Sequence, residues 1–140
     1  MNTSVDTNVF AALWKADDAL NSMAKRGLDF ALDLGELVIS APVYAELVAA
    51  PQRNEMIVDG FLLETGISVD WSIDEKIWRE AGRAYQLYAN ARRKRREGGP
   101  RRLLADFVIG AHAMVRGTRL LTFDSKIYRS AFPSLDVISI

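Results

Sequence analysis

"TSVDTNVF", residues 3–10, joins a short extended stretch to an amphipathic one, with Asp6 at the junction. Residues 3–5 read as a strand in which Val5 is the one strongly apolar member. Val9, Phe10, Leu13 and Trp14 then recur at helical spacing. A strand that runs straight into a helix is the building unit of parallel α/β sheets. Whether the unit repeats decides the fold class.

It repeats along the whole chain. "LVIS", 37–40, precedes "PVYAELVAA", where Pro42 suits a first helical turn because its missing N–H costs nothing there. "ISV", 67–69, precedes the longest helical pattern, which Ser72 and Glu75 would open as a capping box. That helix carries Ile77, Trp78, Ala81, Ala84, Tyr85 and Tyr88 on one stripe, a pattern of core or dimer packing, and "GGP" at 98–100 breaks it. "RLLT", 119–122, precedes a short helix near 125–131, and "DVISI" closes the chain as a fifth strand. Further helices fall between these units. One is capped by Asp17 or Asp18 and ended by Gly35, and one over about 53–64 is closed by Gly66. A third, "LLADFVIGAHAMV" at 103–115, is apolar almost all round and therefore buried. Short strands alternating with helices imply a parallel sheet with helices on both faces.

A length of 140 residues, half of them apolar, supports one domain over 1–140 with one core. No apolar run approaches the roughly 18 residues of a membrane span. The polar N-terminus leads to the expectation of no signal peptide and a cytoplasmic chain. The absence of cysteine removes disulfides, thiolate metal sites and Cys nucleophiles, and a single histidine makes a zinc site untenable. That histidine, His112, lies six residues after Asp106, about 240° round the helix, and reads as structural. Chemistry must come from carboxylates.

The acids are placed for it. Asp6 and Asp124 follow strands directly, Glu46 lies one turn into the helix after "LVIS", and Asp106 is a charge in the first turn of the buried helix. Ligands of open parallel sheets bind beyond the carboxyl ends of the strands, so all four are expected to converge on one crevice. Taken singly, Asp6 and Asp124 could cap helices, Glu46 could be a solvated charge and Asp106 could favour a helix dipole. Taken together they repel: a like pair at about 4 Å costs roughly 4 kcal/mol at an effective dielectric near 20. Raised pKa values or a bound cation relieve this. With oxygen ligands alone the cation is hard, Mg²⁺ or Mn²⁺, and such ions serve phosphodiester chemistry.

"VDTNV", "SAPVYAEL", "ADFVIGAHA" and "LLTFDSKIY" stand in an order and spacing that resemble the PIN-domain family, and among its members the VapC-type toxins of toxin–antitoxin pairs. The resemblance spans essentially the whole chain. It implies a three-layer α/β/α sandwich around a short, mainly parallel sheet. It also implies a ribonuclease in which Asp6, Glu46, Asp106 and Asp124 hold Mg²⁺ or Mn²⁺ and activate a water against an RNA phosphate. Asp6 and Asp106 match the central ligands, and Asn8 and Thr122 match supporting polar residues. A homodimer, an antitoxin partner that offers an Arg to the acids, and an RNA substrate such as tRNA or rRNA are implied in the same way. The first strand, "NTSV", departs from the family by being shorter and more polar, which bears on how it packs.

Net charge is zero but uneven. "RRKRREGGPRR", 92–102, holds seven bases (Arg92, Arg93, Lys94, Arg95, Arg96, Arg101 and Arg102) and one Glu, a local +6. This basic stretch reads as an RNA-phosphate contact, a solvated loop or a contact for an acidic antitoxin segment. Two other functions compete with the ribonuclease. One is a receiver- or phosphatase-type phosphoryl site, which would use Lys126 two residues past Asp124 but lacks a "DxD" after the first strand. The other is a metal-holding module that acts only through a partner.

Overall fold

The structure is a computed structural model that describes residues 1–96, 102 and 104–140. The elements follow in the order β1 Thr3–Val5, α1 Thr7–Leu13, α2 Asn21–Leu34, β2 Leu37–Ser40, α3 Ala41–Val48, α4 Glu55–Thr65, β3 Ser68–Asp70, α5 Glu75–Lys94, α6 Leu104–Arg116, β4 Arg119–Thr122, α7 Ser125–Ala131 and β5 Val137–Ser139. The five strands form one parallel sheet in the order β3-β2-β1-β4-β5. Right-handed crossovers then send the connections to opposite faces of the sheet. The helices pack accordingly: α1 meets α2 and α3, α3 meets α4, and α5 meets α6 and α7. This is the expected three-layer α/β/α sandwich.

β1 is the central strand, although two of its three residues are polar. Thr3, Ser4 and Val5 are all fully buried, and the Thr3 and Ser4 hydroxyls have no hydrogen-bond partner. Its stability therefore comes from backbone pairing on both sides. Thr3 is registered with Leu37 and Arg119, and Val5 with Leu121. Helix α6 packs behind the sheet with Phe107, Val108, Ile109, Ala111 and Ala113 buried.

Gly110 of α6 lets Phe132 approach. A Cβ built there would stand 2.6 Å from Phe132 Cδ2 and 3.1 Å from Cζ. Gly110→Ala gains about 1 kcal/mol of helix propensity, but overpacking a filled core costs about 1–3 kcal/mol. A net loss of up to roughly 2 kcal/mol is expected in urea unfolding; a stability above wild type would contradict this packing.

Several boundaries shift. Asp74, not Ser72, caps α5, accepting from the Ile77 N–H at 3.2 Å. Neither Asp17 nor Asp18 caps α2, whose cap position is Leu20, although Asp18 accepts from the Leu20 N–H. Asn54 caps α4, and Gly66 ends it with φ 72°. Tyr85 and Tyr88 pack on Phe107 at ring distances of 4.8 and 5.4 Å, whereas Trp78 is half exposed and stands off the buried stripe. The "GGP" break lies outside the described residues.

Candidate active site

The carboxyl ends of β1 and β4 lie side by side, so Asp6 and Thr122 meet across the sheet. Asp6 is 5% exposed and caps α1, accepting from the Thr7 N–H at 2.8 Å. The capping role and the crevice role thus coincide in one residue. Its other oxygen accepts from the Thr122 hydroxyl at 2.8 Å. That hydroxyl oxygen in turn accepts from the Asp124 N–H at 2.9 Å and from Asn8 Nδ2 at 3.4 Å. Asn8 also takes the Phe123 N–H at 3.3 Å. Thr122 and Asn8 therefore tie the end of β4 to the start of α1.

Glu46 enters from α3, accepting from the Thr7 hydroxyl at 2.7 Å. Asp106 enters from the first turn of α6 and adds its charge to the field at Asp6. Burial pushes the Asp6 carboxyl up to about 6. Thr122, Tyr128 and the Thr7 N–H pull it down, and Asp106 pushes it further up. The buried Asp6 carboxyl is thus harder to ionise than a solvated one, chiefly because of desolvation.

Asp124 occupies the N-cap position of α7, but its side chain makes no cap bond there. It forms a two-pronged ion pair with Arg102, Nη1 to Oδ2 and Nη2 to Oδ1, the second at 3.4 Å. Burial weakens the hold of the Arg102 guanidinium on its proton, but Asp124 and then Asp106 strengthen it. Among the described residues, no three acidic or histidine side chains stand close enough to hold a metal as they lie. The convergence expected from sequence is therefore a neighbourhood of acids on one edge, with one of them closed onto an arginine.

Tyr128, one turn after Asp124 on α7, is 2% exposed, and its hydroxyl lacks a hydrogen-bond partner. Burial raises its pKa, followed by the charges of Asp6, Asp106 and Asp124, so the phenol keeps its proton. Neither Tyr128 nor the pairing of Arg102 was foreseen from sequence. The signal was spacing: Tyr128 stands four residues after Asp124, one helical turn away, and Arg102 stands four residues before Asp106.

The basic stretch divides. Arg92, Arg93 and Lys94 belong to the last turn of α5, and Arg92 is only 6% exposed. Arg93, Lys94, Arg95 and Arg96 are exposed. Arg101 lies outside the described residues. His112 is 1% exposed and pairs with Asp70 at 2.9 Å, far round α6 from Asp106, as a structural histidine should.

A family model described as PIN domain matches residues 4–133. No curated protein matches the chain significantly. Among solved structures, the chain is similar to VapBC-1 from nontypeable Haemophilus influenzae. There the TM-score is 0.67 and the identity 26%, over 99% of this chain and 98% of that one. It is also similar in fold to FitAcB from Neisseria gonorrhoeae, with TM-score 0.64 and 22% identity over 98% and 96% of the two chains. A third likeness of fold is to VapC20 from Mycobacterium tuberculosis, described as a sarcin-ricin loop cleaving toxin. Its TM-score is 0.60 and its identity 18%, over 92% and 95%. Among the described residues no helix is long and apolar enough to cross a membrane.

Proposed function

The chain belongs to the PIN-domain family, and from that premise we propose that it is a metal-dependent endoribonuclease, the VapC-type toxin of a toxin–antitoxin pair. The observation that carries the proposal is the placement of the acids: Asp6 lies buried at the end of β1 between the Thr7 N–H and the Thr122 hydroxyl, with Glu46 held on the same Thr7 and Asp124 bonded through its N–H to the same Thr122. Likeness to the VapBC-1 complex and to an RNA-cleaving VapC supports it.

The donor set fits Mg²⁺ or Mn²⁺. It consists of carboxylate oxygens from Asp6, Asp106, Asp124 and Glu46, hard donors without sulfur or imidazole. Asp6 and Asp106 are the central ligands, and Glu46 and Asp124 supply a further ligand and a group that orients water. When bound, the ion polarises a phosphoryl oxygen and acidifies a water. The chain's own residues do the rest. Thr122 and the Thr7 N–H hold Asp6 in place. Glu46, fixed by Thr7, stands ready as a proton acceptor, and Asp124 joins it once released from Arg102. Exposed Arg93, Lys94, Arg95 and Arg96 lead RNA phosphates toward the crevice, with salt-dependent binding. The one-domain organisation over 1–140, a cytoplasmic setting, a homodimer and an antitoxin partner belong to the same proposal.

The test is incubation of the purified, partner-free chain with tRNA and rRNA in Mg²⁺ or Mn²⁺, and again in EDTA. Metal-dependent cutting that disappears in Asp106→Asn is the expected result. Intact RNA under every condition, from a chain that still binds the ion, would support a metal-holding module that acts through its partner.

Arg102 and a divalent ion are alternatives at Asp124. Removing the arginine frees that carboxylate, and half-exposed ion pairs contribute about 0.2–1 kcal/mol. Arg102→Ala is therefore expected to tighten Mn²⁺ binding by about 1.5- to 5-fold in calorimetry. Weaker binding would mean that the arginine supports the pocket instead of competing for it.

A further inference from the structure

Thr7, Asn8 and Thr122 each have a use in the site described above; the Tyr128 hydroxyl has none. Tyr128 sits at the core of the sheet edge, 2% exposed, one turn along α7 from Asp124. Its hydroxyl has no hydrogen-bond partner among protein atoms, yet it lies close enough to act on the Asp6 carboxyl. A phenylalanine would fill the same space without the penalty of burying an unpaired hydroxyl. The phenol oxygen is also surrounded by the charges of Asp6, Asp106 and Asp124. Among three carboxylates the hydroxyl is a donor and not an acceptor, so it can serve neither as a base nor as a phenolate ligand.

We propose that Tyr128 is a positioning residue of the carboxylate pocket, whose hydroxyl donates to Asp6 and sets that carboxylate for a divalent cation. Thr122 grips the same carboxyl from β4. Tyr128 approaches it from α7, the helix that follows Asp124, and the bond it donates would be the second grip. Two fixed donors from different elements leave a carboxylate little freedom to turn, and groups that orient a ligand in this way carry about 10- to 100-fold in metal affinity. The inference rests on the metal-dependent reading above.

The experiment is titration of MnCl₂ into wild type and Tyr128→Phe by calorimetry, with a thermal melt of each. Tyr128→Phe is expected to bind Mn²⁺ about 10- to 100-fold more weakly while melting no lower than wild type. Its RNA cleavage should be lost at limiting Mn²⁺ and recovered at saturating Mn²⁺, a rescue that a merely structural tyrosine would not give. Equal affinity in the two proteins overturns the role of Tyr128 and leaves the metal-dependent reading intact. Failure of wild type itself to bind Mn²⁺ overturns both. Should Tyr128→Phe not fold, wild type labelled with 3-fluorotyrosine serves instead. The Tyr128 fluorine signal, identified with Tyr→Phe variants at 44, 85 and 88, should shift with Mg²⁺ along the binding curve; a static signal overturns the proposal.

Discussion

Asp6→Asn is expected to abolish metal-dependent RNA cleavage and, in the same molecule, to raise the melting temperature of the metal-free protein. The loss of activity follows from removing a central ligand. Outer partners of ligands already carry about 10- to 100-fold, so a direct ligand carries roughly a hundredfold or more. The gain in stability follows from burial. A carboxyl shifted from 3.8 to about 6 resists ionisation in the folded state. Ionising it at neutral pH costs about 2–3 kcal/mol. Asparagine keeps the shape and can still accept from the Thr7 N–H. It loses the acceptor that faces Thr122, whose oxygen already accepts from Asp124 and Asn8. That loss takes back about 1 kcal/mol, leaving a net gain of about 1–2 kcal/mol, or roughly 3–6 °C for a chain of this size. A melting temperature below wild type would show that Asp6 is not a desolvated acid.

The second large effect is a pH dependence that metal removes. The folded-state pKa of Asp6 lies above its unfolded value, so the folded chain binds the extra proton. Its stabilising effect is complete below about pH 4 and is lost as pH rises through about 6. Asp70 works in the opposite sense. Burial pushes its carboxyl up, but hydrogen bonds from Arg116 and His112 bring it down to about 2. The contribution of Asp70 is present above pH 4 and is lost as pH falls toward 2. The sum of these two contributions is largest near pH 4, while His112, which burial holds below its usual pKa, adds stability in the opposite sense as pH rises toward 6.5. Urea unfolding is expected to show stability falling by about 2–3 kcal/mol between pH 4 and pH 7 from Asp6 alone. Saturating Mn²⁺ should flatten that slope, because a cation offsets the ionised carboxylates. A metal-free stability that rises over this interval would contradict the assignment.

Much of this was legible in the sequence, because strand–acid–helix units are local patterns. Asp6 after "TSV", Asp124 after "LLTF" and the all-apolar helix around Asp106 each announce their place from a few neighbours. The parallel sheet follows from their repetition. What escaped were choices between near-equivalent neighbours and contacts between distant segments. Ser72 and Asp74 can both cap a helix, and two residues of chain path decided for Asp74. Helical periodicity put Trp78 on a stripe with Tyr85 and Tyr88, but it does not say how far the partner helix extends; only the tyrosines reach Phe107. The polarity of β1 counted against a central strand, yet pairing on both sides holds it there. Charge density in 92–102 suggested one uniform surface, whereas Arg92 turns inward and Arg102 pairs with Asp124. The hydroxyl of Tyr128 carries no local signal of its site neighbours, which come from distant segments of the chain.

Anomalous diffraction from a crystal of the partner-free chain soaked in Mn²⁺ at neutral pH bears most directly on the whole account. One manganese peak bound by oxygens of both Asp6 and Asp106 is the expected result. A well-folded chain whose manganese lies elsewhere, or that takes up none while Asp6 remains buried and unpaired with a cation, would contradict it.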